Sequence, residues 1–332
     1  MAWIGKKIGL FGSSSKFWAS WGGKDGNWAG ETVTAEKAMM IAAMFRGIYL
    51  TASTVATCPF NVYQYGNGTT GNKIVRDQNN PYDAVLRLSP NQDQTPVEFW
   101  EGIIACMLLV GDGFAHKERL GNRLTSMTLM DPTKTVTYRD GGRVFHRYTD
   151  SDGNVHVYPA SEVFQLKGFG FGGDRGMSII QYGAQSLSAT MAADKVAGKM
   201  FRSGLSSSGF LETAQVLNEP DRDRLEKILG DYQGSDNAGK LMILEGGMKY
   251  NQITMSAADA QLLLSRRFNI EEIGRWLGMP TILLGHAADG QTMWGTGVEA
   301  IVQSWYTLSL RALLVRIEKA VQKRIIEPAD IG

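Results

Sequence analysis

SAADAQLLLSRRFNIEEIGRWLGMP (256–280) is followed by TILLGHAADGQTMWGTG (281–297) and VEAIVQSWYTLSLRALLVRIEKAVQKRIIE (298–327). Ser256 with Asp259 resembles a capping box, and Ala260, Leu263, Ile270, Ile273 and Leu277 fall on one helical face. Arg266, Arg267, Glu271, Glu272 and Arg275 take the rest of the helix, with Glu271 and Arg275 in the favourable i,i+4 order. Gly278-Met279-Pro280 stops it, and a loose run of Gly, Met and Trp spans Gly285 to Gly297. A second helix then carries Val298, Ile301, Val302, Trp305, Leu308 and Ala312, with a stripe of Leu313, Ile317, Val321 and Ile325 before Pro328 ends it. Nothing in the intervening loop is arranged for chemistry. Two helices hinged about a partly apolar loop predict a mechanical part, not an active site.

The remainder of the 332 residues supports roughly two domains with ample apolar content for packed cores. A net charge of +1 argues against a dedicated nucleic-acid binder but not against a surface along which DNA slides. Cys58 and Cys106 sit in apolar helical patterns and read as reduced core residues. Ala38–Phe45 and Ile103–Val110 are too short to cross a membrane, and no apolar core follows Lys6 and Lys7 to make a signal peptide, so a soluble, cytosol-assembled protein is expected.

Residues 1–33 are rich in Gly, Ser and Trp without helical or strand period, and read as a mobile arm whose aromatics need a partner surface. Thr34–Thr57 predicts one helix ended by Pro59, and Phe60–Tyr65 a strand into a turn at Gly66–Gly71. Pro81–Leu88 predicts a short helix. Thr95 as N-cap with Pro96 at the first position opens a stronger one to Val110. Strands follow near Phe114–Arg119, Thr125–Leu129, Val144–Thr149, Val155–Tyr158 and Val163–Lys167, with hairpin signals at Asp140-Gly141-Gly142 and Asp152-Gly153-Asn154. Ser178–Ser203 predicts a single helix of about 26 residues and about 39 Å, rich in small residues that admit close neighbours. A small α/β unit comes next: a strand at Gly209–Thr213, a helix after Asn218-Glu219-Pro220, and strands at Leu241–Leu244 and Lys249–Met255.

Candidate chemistry is sparse. Gly234–Lys240 has P-loop glycine and lysine spacing, but Leu241 stands where a magnesium-binding Ser or Thr belongs, and a helix precedes it where a strand should. A nucleotide-binding enzyme using this degenerate loop is the alternative reading; a non-channel scaffold recruiting partners through its Trp-rich arm is another. Gly168–Gly173 lacks a dinucleotide fingerprint and reads as a flexible joint. His116, His146, His156 and His286 have no zinc-ligand spacing, and His146 and His156 read as cross-strand surface residues. Lys195, Lys199 and Arg202 read as cations near a helix C-terminus. No catalytic residue, metal ligand or cofactor is assigned.

The order of parts resembles the portal proteins of tailed bacteriophages, long-tailed type, over roughly Thr34 to Pro328. The strings that carry the resemblance are Val55-Ala56 with Pro59, Thr95-Pro96-Val97-Glu98-Phe99, Gly111-Asp112-Gly113-Phe114-Ala115, Leu129-Met130-Asp131-Pro132, Gly176-Met177-Ser178-Ile179-Ile180, Tyr232-Gln233-Gly234, and Leu277-Gly278-Met279-Pro280 through Leu284-Gly285. The resemblance implies an α+β portal fold: an α/β wing (34–177), a stem helix (178–204), a small α/β clip insertion (205–255), a second stem helix (256–278), a tunnel loop (279–297) and a long C-terminal helix with a truncated or minimal crown (298–332). It further implies a non-enzymatic homo-oligomeric ring, typically of twelve subunits, at one capsid vertex of the virion, assembled in the bacterial host cytoplasm. DNA passes through such a channel non-specifically. Terminase large subunit, head-completion or adaptor proteins, and capsid and scaffold proteins are the implied partners, without a membrane.

On that reading Gln291, Thr292, Met293 and Trp294 face the DNA channel, and Lys195, Lys199, Arg266 and Arg267 belong to the stem. Asp221, Arg222, Asp223, Glu226 and Lys227 form the docking face of the clip. The family often has a proline near Ser309-Leu310; its absence here predicts a straighter helix.

Overall fold

Helix formation at Pro96–Val110 is dictated at both ends. Thr95 accepts from the Glu98 amide while the Glu98 carboxylate accepts from the Thr95 amide, and Gly111 closes the helix in the left-handed region at φ 92°. This is the central helix of the computed structural model, which describes residues 30–68, 71–77, 80–121, 123–203, 209–212, 218–231, 249–252, 268–286 and 296–326. The architecture is mixed α and β.

Before the central helix lie α1 (Ala35–Met39), α2 (Ala42–Ala56), the hairpin β1 (Tyr63–Gly68) and β2 (Gly71–Arg76), and α3 (Pro81–Asp83) running into a π-helical turn (Ala84–Leu88). The central helix is α4. Where one helix over Thr34–Thr57 was expected there are two. Ile41 is extended (φ −78°, ψ 115°) and buried, so the chain gives up a helical turn to place that side chain in the core. Phe60–Val62 is not strand; Phe60 instead stacks on Trp100 at 4.1 Å. Trp100 is fully buried, meets Phe99 and Phe164 edge-on, and satisfies its indole N–H on the Leu86 carbonyl at 3.1 Å.

Six strands follow: β3 (Asp112–Leu120), β4 (Arg123–Met130), β5 (Thr135–Asp140), β6 (Arg143–Thr149), β7 (Val155–Pro159) and β8 (Val163–Lys167). They form two antiparallel sheets, ordered β4-β3-β8 and β5-β6-β7. β5 is the strand missing from the sequence reading, although its hairpin, with Gly141 and Gly142 at positive φ, was marked by Asp140-Gly141-Gly142. Thr135, Thr137 and His146 point inward, where Phe114, Met130 and Val163 form a small core with Tyr148 and Tyr158 packed against it.

The long helix is also interrupted. Ser178 caps α5 (Ile179–Tyr182), Gly183 breaks it, and α6 (Ala184–Ser203) continues. A Cβ at Gly183 would lie 2.8 Å from the Ile179 carbonyl and 3.4 Å from the Trp276 ring, so the break admits Trp276 against bare backbone. The remaining elements are β9 (Gly209–Glu212) paired antiparallel with β10 (Lys249–Gln252), α7 (Glu219–Asp231) between them in sequence, α8 (268–277), a 3₁₀ turn (Thr281–Leu284), α9 (Thr296–Trp305), a π-helical turn (Tyr306–Leu310) and α10 (Arg311–Arg324). The start of the expected helix at Ser256, the strand at Leu241–Leu244 and the stop at Pro328 lie outside the described residues.

One core joins the sheets to the C-terminal helices: Val55, Phe99, Ile103, Met127 and Leu166 share it with Met279, Trp305, Leu310, Ile317, Val321 and Ile325. A second gathers Ala38, Ile41, Met44 and Ile48 with Leu109, Leu187 and Ile273. Each fully buried large side chain contributes about 1.5–3 kcal/mol. Cys58 and Cys106 are both free thiols, and burial pushes Cys106 up to about 11. Among the described residues no helix is long and apolar enough to cross a membrane.

Candidate functional site

On both sides of the segment read as a loop, the described residues of 256–327 are held by specific bonds. On the entry side, α8 stops at Gly278, whose φ of 61° is the left-handed stop anticipated from Gly-Met-Pro. The Met279 amide returns to the Gly274 carbonyl at 2.8 Å. Gly285, at φ 82°, closes the 3₁₀ turn, and the His286 amide bonds to the Thr281 carbonyl at 3.1 Å. Arg46 of α2 donates to the Leu283 carbonyl at 3.4 Å, while Gly47 leaves space for Leu277 and Leu284; a Cβ there would meet Leu277 at 2.3 Å.

On the return side, α9 begins at Thr296 and Trp305 is buried. The helix then widens into the π-helical turn Tyr306–Leu310. Although the proline is absent, the α-helical ladder is interrupted at the same place. Ser309 in that turn donates to the Gly278 carbonyl at 2.6 Å, tying the return helix to the stop of the entry helix. Beside them is an apolar cleft of about 400 Å³ lined in part by Trp276, Leu277, Trp305, Leu310 and Leu313.

The C-terminal end of α10 is held by cations of β3. Lys117 donates through Nζ to the Arg324 carbonyl, and Arg119 to the Ile325 carbonyl at 3.0 Å, placing positive charge where the helix dipole is negative. Arg316 donates to the Lys167 carbonyl at 3.3 Å. The Gly168–Gly173 segment is correspondingly not a free joint. Gly168 bonds to the Gly111 carbonyl at 2.8 Å and Met177 to that of Phe169 at 2.6 Å, and Lys167 donates to the Gly173 carbonyl. Arg139 grips Asp174 with two bonds of 2.8 and 2.7 Å.

At the root of this segment Asp112 is fully buried. Its carboxylate accepts from Arg175 at 2.7 Å, Gln165 at 2.9 Å and the Gly176 amide at 3.0 Å. Burial pushes its carboxyl pKa up, against the opposing pull of Arg175, Gln165 and Gly176. Arg175 also donates to the Thr135 carbonyl at 2.8 Å and lies over the Phe114 ring at 5.2 Å, so it ties both sheets to the segment leading into α5.

His146 is buried, not on the surface as its strand position suggested. Thr137 and His146 Nδ1 are 3.1 Å apart, and Nε2 has no hydrogen-bond partner. Burial, then the nearby Arg324 and Arg175 charges, bring its pKa down to about 4. In the unfolded chain it returns to about 6.5, so its stabilising contribution is complete above that pH and is lost as pH falls toward 4, about 3 kcal/mol in all. His116, also lowered chiefly by burial, acts in the same direction. Urea midpoints measured from pH 7 to pH 4.5 should therefore fall, and His146→Phe should flatten the fall; parallel slopes for the two proteins contradict this. His156 differs, standing 2.9 Å from Asp150 at a partly open position.

The residues singled out from sequence fall as follows. Gln291, Thr292, Met293, Trp294, Arg266 and Arg267 lie outside the described residues, as does Gly234–Lys240. Lys195 and Lys199 share α6, and Lys195 is ion-paired with Glu31 at 2.5 Å. Asp221, Arg222, Asp223, Glu226 and Lys227 all lie on α7, with the first three exposed. Glu271 and Arg275 form the expected i,i+4 pair at 3.2 Å. The Asp112 cluster, His146, Ser309 and the Lys117–Arg119 clamp were not anticipated. Asp112 was marked only within Gly111–Ala115, and no local period reveals a partner 63 residues away.

Two antiparallel three-stranded sheets, one of which shares its core with the C-terminal helices, make up a fold found in known portal subunits. A crystal structure of an HK97-family phage portal protein from Corynebacterium diphtheriae superposes with a TM-score of 0.60 at 16% identity, covering 87% of this chain and 89% of that one. The neck of a native gene transfer agent particle computed with C12 symmetry gives 0.58 at 23% identity, covering 94% and 80%. The portal protein of Enterobacteria phage HK97 is 28% identical over 304 residues, 91% of this chain and 70% of that protein. The phage portal protein family model matches residues 42–331, and the chain belongs to that family.

Proposed function

We propose that this chain assembles into a homo-oligomeric ring, of twelve subunits, forming the channel at one capsid vertex through which phage DNA is packaged and ejected. The observation that carries this reading is the tie between the helices on either side of the expected tunnel loop: Ser309 donates to the Gly278 carbonyl, and Arg46 to that of Leu283. A channel constriction needs a movable segment on a fixed base. An apolar cleft lined by Trp305, Ser309 and Leu310 adjoins this tie. The twelvefold symmetry named for the related neck supports the subunit number, and virion particles among its structural relatives support a place in the virion.

Within this reading residues 34–177 form the wing, 178–204 and 256–278 the stem, 205–255 the clip, 279–297 the tunnel loop and 298–332 the last long helix. Met293 and Trp294, flanked by Gln291 and Thr292, meet DNA sterically. Lys195, Lys199, Arg266 and Arg267 belong to the stem wall. Asp221, Arg222 and Asp223, exposed on α7, together with Glu226 and Lys227 of the same helix, receive terminase and later the adaptor proteins. The chain acts as a structural conduit; the ATP hydrolysis that drives packaging belongs to a separate motor.

Replacing Met293 and Trp294 together by Gly should reduce packaged DNA at least tenfold while leaving ring assembly intact. Nuclease-protected DNA per particle, measured beside ring yield, reads this directly. Unchanged packaging removes those two residues from the channel; lost rings would instead place them in an interface between subunits.

A further inference from the structure

The tryptophans of this chain are unevenly placed. Trp3, Trp18, Trp21 and Trp28 are four of its eight, all near the N-terminus, and Lys6, Lys7, Lys16 and Lys24 face a single acid, Asp25, before Gly30. This stretch joins the body at a fixed point. Lys195 of α6 holds Glu31 at 2.5 Å, Lys37 donates to the Thr32 carbonyl at 3.2 Å, and Val33 packs against the core shared by Ile41, Met44 and Leu187.

The surface that begins there is unusual for a helix facing solvent. A surface helix normally turns charged or polar residues outward. Here the outer face of α2 presents Phe45 and Tyr49, one turn apart, 52% and 50% exposed, with parallel rings 6.1 Å apart. Met40, just before α2, is 82% exposed.

We propose that residues 18–28 of the same chain pack over this face, with Trp18, Trp21 and Trp28 covering Met40, Phe45 and Tyr49. Reach and tethering both favour the chain's own segment. Trp18 to Gly30 spans about 40 Å when extended, against about 11 Å of helix from Ala42 to Tyr49 with Met40 just before it. A short tether keeps the segment at an effective concentration near millimolar. The chemistry matches as well: indole rings stack on Phe45 and Tyr49, thioether sulfur meets aromatic edges at Met40, and Lys16 and Lys24 flank the tryptophans where an aromatic face attracts a cation.

Hydrogen exchange on the full chain, as monomer and as ring, tests the proposal. Amides of 18–28 should exchange at least tenfold more slowly than a free coil, and Phe45→Ser with Tyr49→Ser should abolish that protection. Coil rates in the unmodified chain, or protection that survives both substitutions, overturn it. Protection found only in rings and passed between chains in mixed rings gives the face to a neighbouring copy and also overturns it. Deleting residues 2–29 provides a second variant that leaves the described core untouched. Binding of a hydrophobic dye should rise severalfold on deletion and fall back when Phe45→Ser and Tyr49→Ser are added; no rise contradicts the proposal. Ring assembly is scored separately, so failure here is distinguishable from failure of the channel reading.

Discussion

Asp112→Ala should destabilise the protein by about 3–5 kcal/mol, because it strands a cluster that was costly to bury. The carboxylate is fully buried and serves three donors: Arg175, Gln165 and the Gly176 amide. Its removal leaves the Arg175 guanidinium beside Phe114 without its counter-charge and the Gly176 amide without an acceptor. Asp112→Asn, which keeps the shape and one acceptor oxygen, should cost clearly less. That ranking follows from the retained amide oxygen, which can still accept from Arg175 and the Gly176 amide. Urea denaturation of both variants checks it. An Asp112→Ala protein within about 1 kcal/mol of the parent would show that the cluster contributes little net stability, as well-packed apolar replacements of buried ion pairs sometimes reveal.

Gly176→Ala should be at least as damaging, and for a reason of space. A Cβ at Gly176 would stand 1.9 Å from the Gly111 carbonyl oxygen and 2.9 Å from the Gly168 amide nitrogen. Both are backbone atoms, so no side-chain rotation relieves the contact. The Gly111 and Gly168 backbones are themselves hydrogen-bonded at 2.8 Å, and separating them opens the junction where α4, β3, β8 and the segment leading into α5 meet. A loss of more than about 3 kcal/mol is expected, beyond the ordinary range for overpacking by one methyl group. Gly172, with open space around its Cα, is the contrasting position: its Ala variant bears only the strain of a φ of 85°. Thermal unfolding of the pair separates close approach from backbone strain, and similar midpoints for the two variants would contradict the steric argument.

Much of this fold was readable wherever a local rule acts alone. The N-cap at Thr95 with Pro96 after it, the hairpin glycines at 141 and 142, and the stripe of Ile317, Val321 and Ile325 are each settled within one or two turns of chain, and each holds. The misses have tertiary causes. Ile41 leaves the helical conformation to reach a core built with Leu109, Leu187 and Ile273. Gly183 breaks the long helix where Trp276, 93 residues onward, packs against it. The π-helical turn at Tyr306–Leu310 contains neither glycine nor proline, and its tie is a hydroxyl reaching across the hinge to Gly278. His146 occupies an ordinary alternating strand position, and only the second sheet stacked on that face makes it a core residue.

The candidate site divides in the same way. Its frame was legible, since Gly278-Met279-Pro280 and Gly285 announce a stop and a left-handed turn by residue type alone. Its clamps were not, because Arg46 on Leu283 and Ser309 on Gly278 join residues 237 and 31 positions apart. The order of short strings carried the family assignment. Gly111–Ala115 and Gly176–Ile180 now have a physical account: they meet at the Asp112 cluster, and Ser178 bonds to the Leu109 carbonyl at 2.9 Å.

Negative-stain electron microscopy of the purified full-length chain tests the central claim most directly. The account predicts rings with a central hole and rotational symmetry consistent with twelve subunits. A population that stays monomeric under every assembly condition, or forms particles without a hole, would contradict the channel and favour the scaffold reading.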